Sequence, residues 1–390
     1  MGTDLQEQCA KEKLYTILDM HAVPGGQNPD WHSDNPTSYA AFWDFKDHQD
    51  RTVWLWEQIA ARYKGNPWVA GYNPLNEPCD PEHVRLPAFY ERIEKAIRKV
   101  DPDHILFLDG NTFAMEWKGF DKVLPNCVYS IHDYSVSFPI IICALLYLFS
   151  SPFSDGYLRE KPANTKVQTM GFPTGARFKG TEEQKEILER QYLRKAKVIN
   201  ELGAPIWNGE FGPVYADPSR DPDAATVNQE RYNLLGEQLR IYDKYQIHWS
   251  IWLYKDIGLQ GMIYTNPESK WNRTIQPFLD KKRRLQLDAW GTQPSPEVEA
   301  VLKPLVQWID KVSPTAKDTY PGPWGLERHV QRAVLQTFLS ASFEDEFAGL
   351  FKGMDETELD ALAHSFHFDE CLQREGLNEI LRSHAKLQEK

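Results

Sequence analysis

Between Leu14 and Tyr254 six short apolar runs recur among helical stretches and turn signals, and this alternation restricts the fold more than any other feature of the chain. The runs cover residues 14–20, 69–73, 104–109, 127–132, 206–210 and 247–254. Helical stretches at 51–63, 87–100, 182–202 and 229–245 separate most of them. Breakers close three of these stretches: Gly65-Asn66-Pro67, Asp101-Pro102 and Gly203. Neighbouring parallel strands need a crossover of a dozen residues or more, whereas antiparallel strands turn back within a few. The spacing therefore predicts an α/β fold built on a parallel sheet.

Two of the runs deliver a glutamate just past their apolar part: Gly71-Tyr72-Asn73-Pro74-Leu75-Asn76-Glu77-Pro78 and Pro205-Ile206-Trp207-Asn208-Gly209-Glu210-Phe211-Gly212. A glutamate after a strand is ordinarily a surface residue. The context here is narrower. Asn76-Glu77-Pro78 joins a hydrogen-bonding amide, an acid and a chain-stiffening proline, and Glu210 lies between two glycines beside aromatic rings. Two carboxylates on separate strand ends suit cleavage of a glycosidic bond. One arrives protonated to donate to the leaving oxygen, and the other arrives ionised to attack or stabilise the anomeric carbon.

On these motifs the chain resembles glycoside hydrolase family 5, the cellulase-like retaining glycosidases. Residues 14–21, with the loop Ala22-Val23-Pro24-Gly25-Gly26-Gln27-Asn28, resemble that family's third strand and loop. Tyr129-Ser130-Ile131-His132-Asp133-Tyr134 resembles the sixth strand, and Trp249-Ser250-Ile251-Trp252-Leu253-Tyr254-Lys255 the eighth. The likeness covers residues 8–135 and 170–290. It implies a (β/α)8 TIM barrel lacking its first two βα units, which at ordinary unit size is roughly 60 to 90 residues. An arginine that the family's second strand supplies to support the nucleophile has no counterpart here.

The resemblance also implies roles. Glu77 would be the acid/base, held protonated by burial and by the nearby anion of Glu210, the nucleophile. Asn76 would hold the sugar 2-hydroxyl, Tyr134 would orient Glu210, and His21 and His132 would hold hydroxyls or tune the pair. Trp252 would floor the sugar subsite, and Gln27, Asn28, Trp31 and His32 on the loop would contact sugar. No metal and no organic cofactor is implied. The substrate would be a β-glucan or related β-glucoside, its linkage open. The missing strands leave a second reading in play: a catalytically impaired or inactive carbohydrate-binding barrel.

A net charge of −12 argues against a nucleic-acid or anionic-membrane surface and suits a neutral carbohydrate. The 13 tryptophans supply flat apolar faces of the kind that bind sugars, although core packing is the commoner fate of such rings. Cys9, Cys79, Cys127, Cys143 and Cys371 are scattered without a CxxC spacing, which speaks against a zinc site or a dense disulfide framework. Nothing calls for an obligate protein partner. Residues 1–13 are polar and carry no apolar leader run, so the chain as it stands reads as cytoplasmic, with secretion open if residues precede Met1.

Two stretches depart from the barrel pattern. Residues 139–149 are almost purely apolar, yet too short to span a bilayer comfortably. Removing residues 136–168 would join His132-Asp133-Tyr134-Ser135 to Thr169-Met170-Gly171-Phe172-Pro173, the continuation the family resemblance leads one to expect. This segment is expected to be a non-native insert, a translated intron, with a membrane-dipping loop as the competing reading. Beyond it, 296–312 reads as an amphipathic helix, 318–325 as a Pro/Gly linker, and 327–384 as helical throughout. The expected division is an incomplete barrel at 1–295 and a helical extension at 296–390.

Overall fold

The computed structural model describes residues 2–134 apart from 36 and 38, then 177–218, 221–287, 295–316 and 326–388. The expected insert at 136–168 and the linker at 318–325 lie outside the described residues. The chain runs α1 (Gly2–Lys11), β1 (Thr16–Asp19), α2 (Lys46–Tyr63), β2 (Val69–Asn73), α3 (Arg85–Val100), β3 (Ile105–Asp109), β4 (Cys127–His132), α4 (Glu182–Leu202), β5 (Ile206–Glu210), α5 (Ala224–Lys244) and β6 (His248–Trp249). The six strands form one sheet in chain order, and every neighbouring pair is parallel. This is the α/β arc that the alternation predicts.

Local chemistry explains the elements. Leu86, Phe89, Tyr90, Ile93 and Ile97 recur at helical spacing on α3 and are all buried. Thr181 caps α4 by accepting from the Gln184 amide, and Gly203 closes it in the left-handed conformation at φ 68°. Period-two alternation then divides each strand between two faces. Cys127, Tyr129 and Ile131 join the core shared with the helices, which leaves Ser130 and His132 on the opposite face. That face carries the chemistry.

Two expectations need correction. The last strand is not 247–254 but only His248–Trp249. Beyond it the Ser250 and Trp252 amides donate to Asn208 O and Phe211 O (both 2.9 Å), and the chain bends across the strand ends. The segment 327–384 is not helical throughout. It breaks into Leu326–Gln331, Arg332–Leu339, Glu344–Gly349, Glu356–His364, a strand Cys371–Gln373 and a helix Glu375–Gln388. Cys371–Gln373 pairs antiparallel with Ile263–Thr265, which pairs in turn with Lys255–Asp256. Arg374 fastens the junction by donating to Gly261 O (3.0 Å) and Gly258 O (2.9 Å), its guanidinium lying over the Tyr215 and Tyr264 rings. Helical composition cannot reveal a strand whose partner lies more than a hundred residues away.

β1 and β6 are the two edges of the sheet. Their following residues meet nonetheless. The rings of His21 and Trp252 stack with centroids 5.6 Å apart and planes 17° from parallel.

Candidate active site

Glu77 is held by groups that its own segment does not supply. Gln27 Nε2 donates to His21 O (2.8 Å) and to Asn76 O (2.7 Å), while its Oε1 accepts from the Val23 amide (3.2 Å). Asn28 Nδ2 donates to Glu77 O (2.9 Å), and Trp56 Nε1 donates to Pro74 O (3.1 Å). Glu77 itself adopts φ 47°, a left-handed backbone uncommon for a residue with a side chain. Its amide donates to Asp109 Oδ2 at 2.9 Å, so the end of β3 fixes the conformation. Such strain costs about 1–3 kcal/mol and persists only where the surroundings enforce it.

The two carboxylates meet around one imidazole. His132 Nδ1 lies 2.7 Å from Glu77 Oε1 and 3.6 Å from Glu210 Oε2, and its Nε2 is 3.4 Å from Asp109 Oδ2. His32 Nε2 lies 2.9 Å from Glu77 Oε2, so each oxygen of Glu77 faces its own histidine. Tyr134 donates its hydroxyl to Glu210 Oε2 at 2.8 Å. One oxygen of each glutamate and one nitrogen of His132 lie within 4.8 Å of one another. Gly209 makes this approach possible: a Cβ there would stand 2.6 Å from Ser130 Oγ and 3.0 Å from His132 Nε2. Glu77, His132 and Glu210 are also the three donors, among the described residues, close enough together to hold a cation. The His132 Nδ1–Glu77 Oε1 contact of 2.7 Å has the length of a charge-assisted hydrogen bond.

The environments drive the two glutamates apart. Burial favours the neutral acid at Glu77, but the hydrogen bonds and charges of His132 and His32 outweigh it and hold the carboxyl well below its usual range. Glu210 is pushed up to about 7 by burial, with His132 opposing and the Glu77 anion adding to the shift. At His132 burial opposes the charge, yet Glu210, Asp109 and Glu77 together raise the ring to about 10. Burial pushes Asp109 up to about 6, against the pull of His132. These directions run against the expectation that Glu77 rests protonated, since both histidines favour its anion.

Residues 4–258 match the cellulase family, glycosyl hydrolase family 5. A β-xylosidase of Phanerodontia chrysosporium is 44% identical over 386 residues, covering 97% of this chain and 74% of that protein. The chain belongs to glycosyl hydrolase family 5. Endoglucanase C of Acetivibrio thermocellus is 28% identical over 302 residues, 71% of this chain and 78% of that one. Among solved structures, an endoglucanase from Thermotoga maritima aligns over 65% of this chain and 69% of that one, at 20% identity and a TM-score of 0.43. By its family membership the chain is a glycosidase, an enzyme that hydrolyses O-glycosyl bonds.

Most residues that the sequence singled out in this glycosidase come together. Asn76 Nδ2 lies 3.3 Å from His21 Nε2, and His21 Nδ1 lies 2.9 Å from Asp19 Oδ2. Trp252 covers His21. Trp31 stands at the rim, 59% exposed, its ring edge-on to His32. The loop amides are a correction. Gln27 and Asn28 are both 0% exposed and are taken up by the backbone groups named above, so they shape the loop and cannot reach a sugar.

Sequence reading missed Asp109, Asp133, Lys195, Gln238 and Tyr242, and it gave His32 a sugar contact rather than one to Glu77. Asp109 and His32 touch Glu77 directly. Asp133 and Lys195 form a buried ion pair at 2.7 Å behind the site, and Lys195 Nζ also donates to His132 O (3.3 Å) and Tyr134 O (3.1 Å). Tyr242 and Gln238 on α5 complete the group, donating to Asp133 Oδ2 and Asp133 O (both 2.9 Å). A strand-end position was the available signal for Asp109. For Lys195 it was a lysine on the apolar stripe of α4, in register with Leu188, Tyr192 and Ile199.

Proposed function

We propose that the chain is a retaining β-glycosidase in which Glu210 is the nucleophile and Glu77 the acid/base, acting on a β-xyloside or β-glucoside. The observation that carries this reading is the geometry: one oxygen of Glu77 and one of Glu210 lie within 4.8 Å of each other around His132 at two strand ends. Retention calls for carboxyls roughly 5–5.5 Å apart, whereas inversion needs roughly 6.5–9.5 Å to admit a water between them. An ionised Glu210 oxygen attacks the anomeric carbon as the glycosidic C–O bond breaks. The departing oxygen takes its proton through Glu77, supplied by the histidines that face it. Water then adds to the glycosyl-enzyme, giving its proton to Glu77 and freeing Glu210.

Asn76 fits the 2-hydroxyl, a group that xylosides and glucosides share, and the Trp252 ring offers a platform for a sugar face. The 44% identity to a β-xylosidase favours a xyloside as the first substrate to try, and the endoglucanase likeness favours a glucoside as the second. The test is turnover of aryl β-xylosides and β-glucosides across pH. Glu210 attacks only when ionised, so kcat/KM is lost as pH falls through about 7, above the ordinary carboxylate range. It falls again on the alkaline side as the raised histidines lose their protons. No turnover of either substrate would leave a carbohydrate-binding barrel, and an acid limb near about 4 would contradict the buried nucleophile.

A further inference from the structure

The two histidines on Glu77 differ in what else holds their protons. His132 is deeply buried and faces three anions, Glu77, Glu210 and Asp109, so its proton is tightly kept. The charged and titratable groups around His32 are Glu77, Asp30 and, ring to ring at 5.9 Å, His21; Phe113 and Trp31 supply its apolar walls. Asn28 Nδ2 also lies 3.1 Å from His32 Nε2, the nitrogen that faces Glu77. The orientation of that amide is fixed, because Oδ1 accepts from the Asp30 amide (2.9 Å) and Nδ2 donates to Glu77 O. An N–H aimed at Nε2 favours the unprotonated nitrogen and presses the shared proton toward Glu77.

Asp30 adds to Glu77 in holding the His32 charge, and a residue 302 positions away pairs with Asp30. Arg332 meets both Asp30 oxygens, Nη1 to Oδ1 and Nη2 to Oδ2, each at 2.6 Å, with both side chains buried. Asp30 in turn caps the turn Trp31–Ser33 by accepting from the Trp31 amide at 2.8 Å. The guanidinium thus holds the residue that caps the turn presenting His32 and offsets part of the Asp30 charge that His32 feels.

We propose that His32 exchanges with Glu77 the proton delivered to the leaving oxygen, and that Arg332, from the C-terminal part of the chain, is a positioning residue for His32 through Asp30. The inference rests on Glu77 being the acid/base. In the first half-reaction the proton passes from the His32 Nε2–Glu77 Oε2 pair to the leaving oxygen as the C–O bond breaks. In the second half-reaction water returns it to the same pair. No further reactant is consumed.

The test compares a phenyl β-glycoside with its 2,4-dinitrophenyl counterpart, whose leaving group needs no proton. His32→Asn lowers kcat/KM about 100-fold on the phenyl substrate and less than about threefold on the activated one. Arg332→Met gives the same selectivity at about tenfold and moves the alkaline limb to higher pH, since the exposed Asp30 charge holds the His32 proton more firmly. Arg332→Lys and the double variant Asp30→Asn/Arg332→Met restore most of the loss, which separates the effect from misfolding. Equal losses on both substrates with an unmoved pH profile would overturn the inference. Glu77→Ala distinguishes the two levels: if it alone shows leaving-group selectivity, only the role of His32 fails. If it shows none, the acid/base assignment fails with it.

Discussion

Glu210→Gln lowers kcat/KM on an aryl β-glycoside by on the order of 10⁵-fold while leaving the protein folded. The amide keeps the volume of the carboxylate and an oxygen to accept from Tyr134, so the packing of β5 against β4 survives. It has no ionised oxygen to bond the anomeric carbon, and it removes one of the anions that hold the His132 proton. Turnover and thermal unfolding of the same preparation check the outcome. A loss smaller than about 100-fold in a folded variant would mean that another group attacks the sugar.

Lys195→Met destabilises the protein by about 3–5 kcal/mol, because it leaves the buried Asp133 charge without its cation. Tyr242 still donates to Asp133 Oδ2, but a phenol does not neutralise a carboxylate. The backbone oxygens of His132 and Tyr134 lose a donor in the same step, so activity falls beyond what unfolding accounts for. A denaturant midpoint series measures the first effect, and kcat/KM of the folded fraction the second. Asp133→Leu on the Lys195→Met background recovers part of the stability, since two apolar groups replace a buried pair at little net cost. A change under about 1 kcal/mol in the single variant would show that water reaches Asp133.

The fold was legible where one local signal sufficed. Helices that end at Gly203 or at Asp101-Pro102 and strands that run unbroken into Asn73 or Glu210 lie close to where composition places them. Both glutamates were legible because proline and glycine mark the chain turns that aim them. What the sequence hid depends on distant partners. Gln27 and Asn28 resemble sugar-binding amides, and only the folded loop shows the backbone groups they must satisfy. His32 reads in sequence as a sugar contact, and only the folded turn, capped by Asp30 in its pair with Arg332, shows that it faces Glu77. The strand Cys371–Gln373 exists because Ile263–Thr265 offers it an edge.

The assignment of the two carboxylates is tested most directly by azide rescue of Glu210→Gly and Glu77→Ala on a 2,4-dinitrophenyl β-glycoside. Azide in the space left by Glu210 attacks from the face opposite the leaving group, so Glu210→Gly yields the α-glycosyl azide. In Glu77→Ala the glycosyl-enzyme still forms on Glu210, and azide displaces it to give the β-glycosyl azide. Nuclear magnetic resonance of the anomeric proton tells the two products apart. An α-azide from Glu77→Ala and a β-azide from Glu210→Gly would reverse the roles and contradict the mechanism.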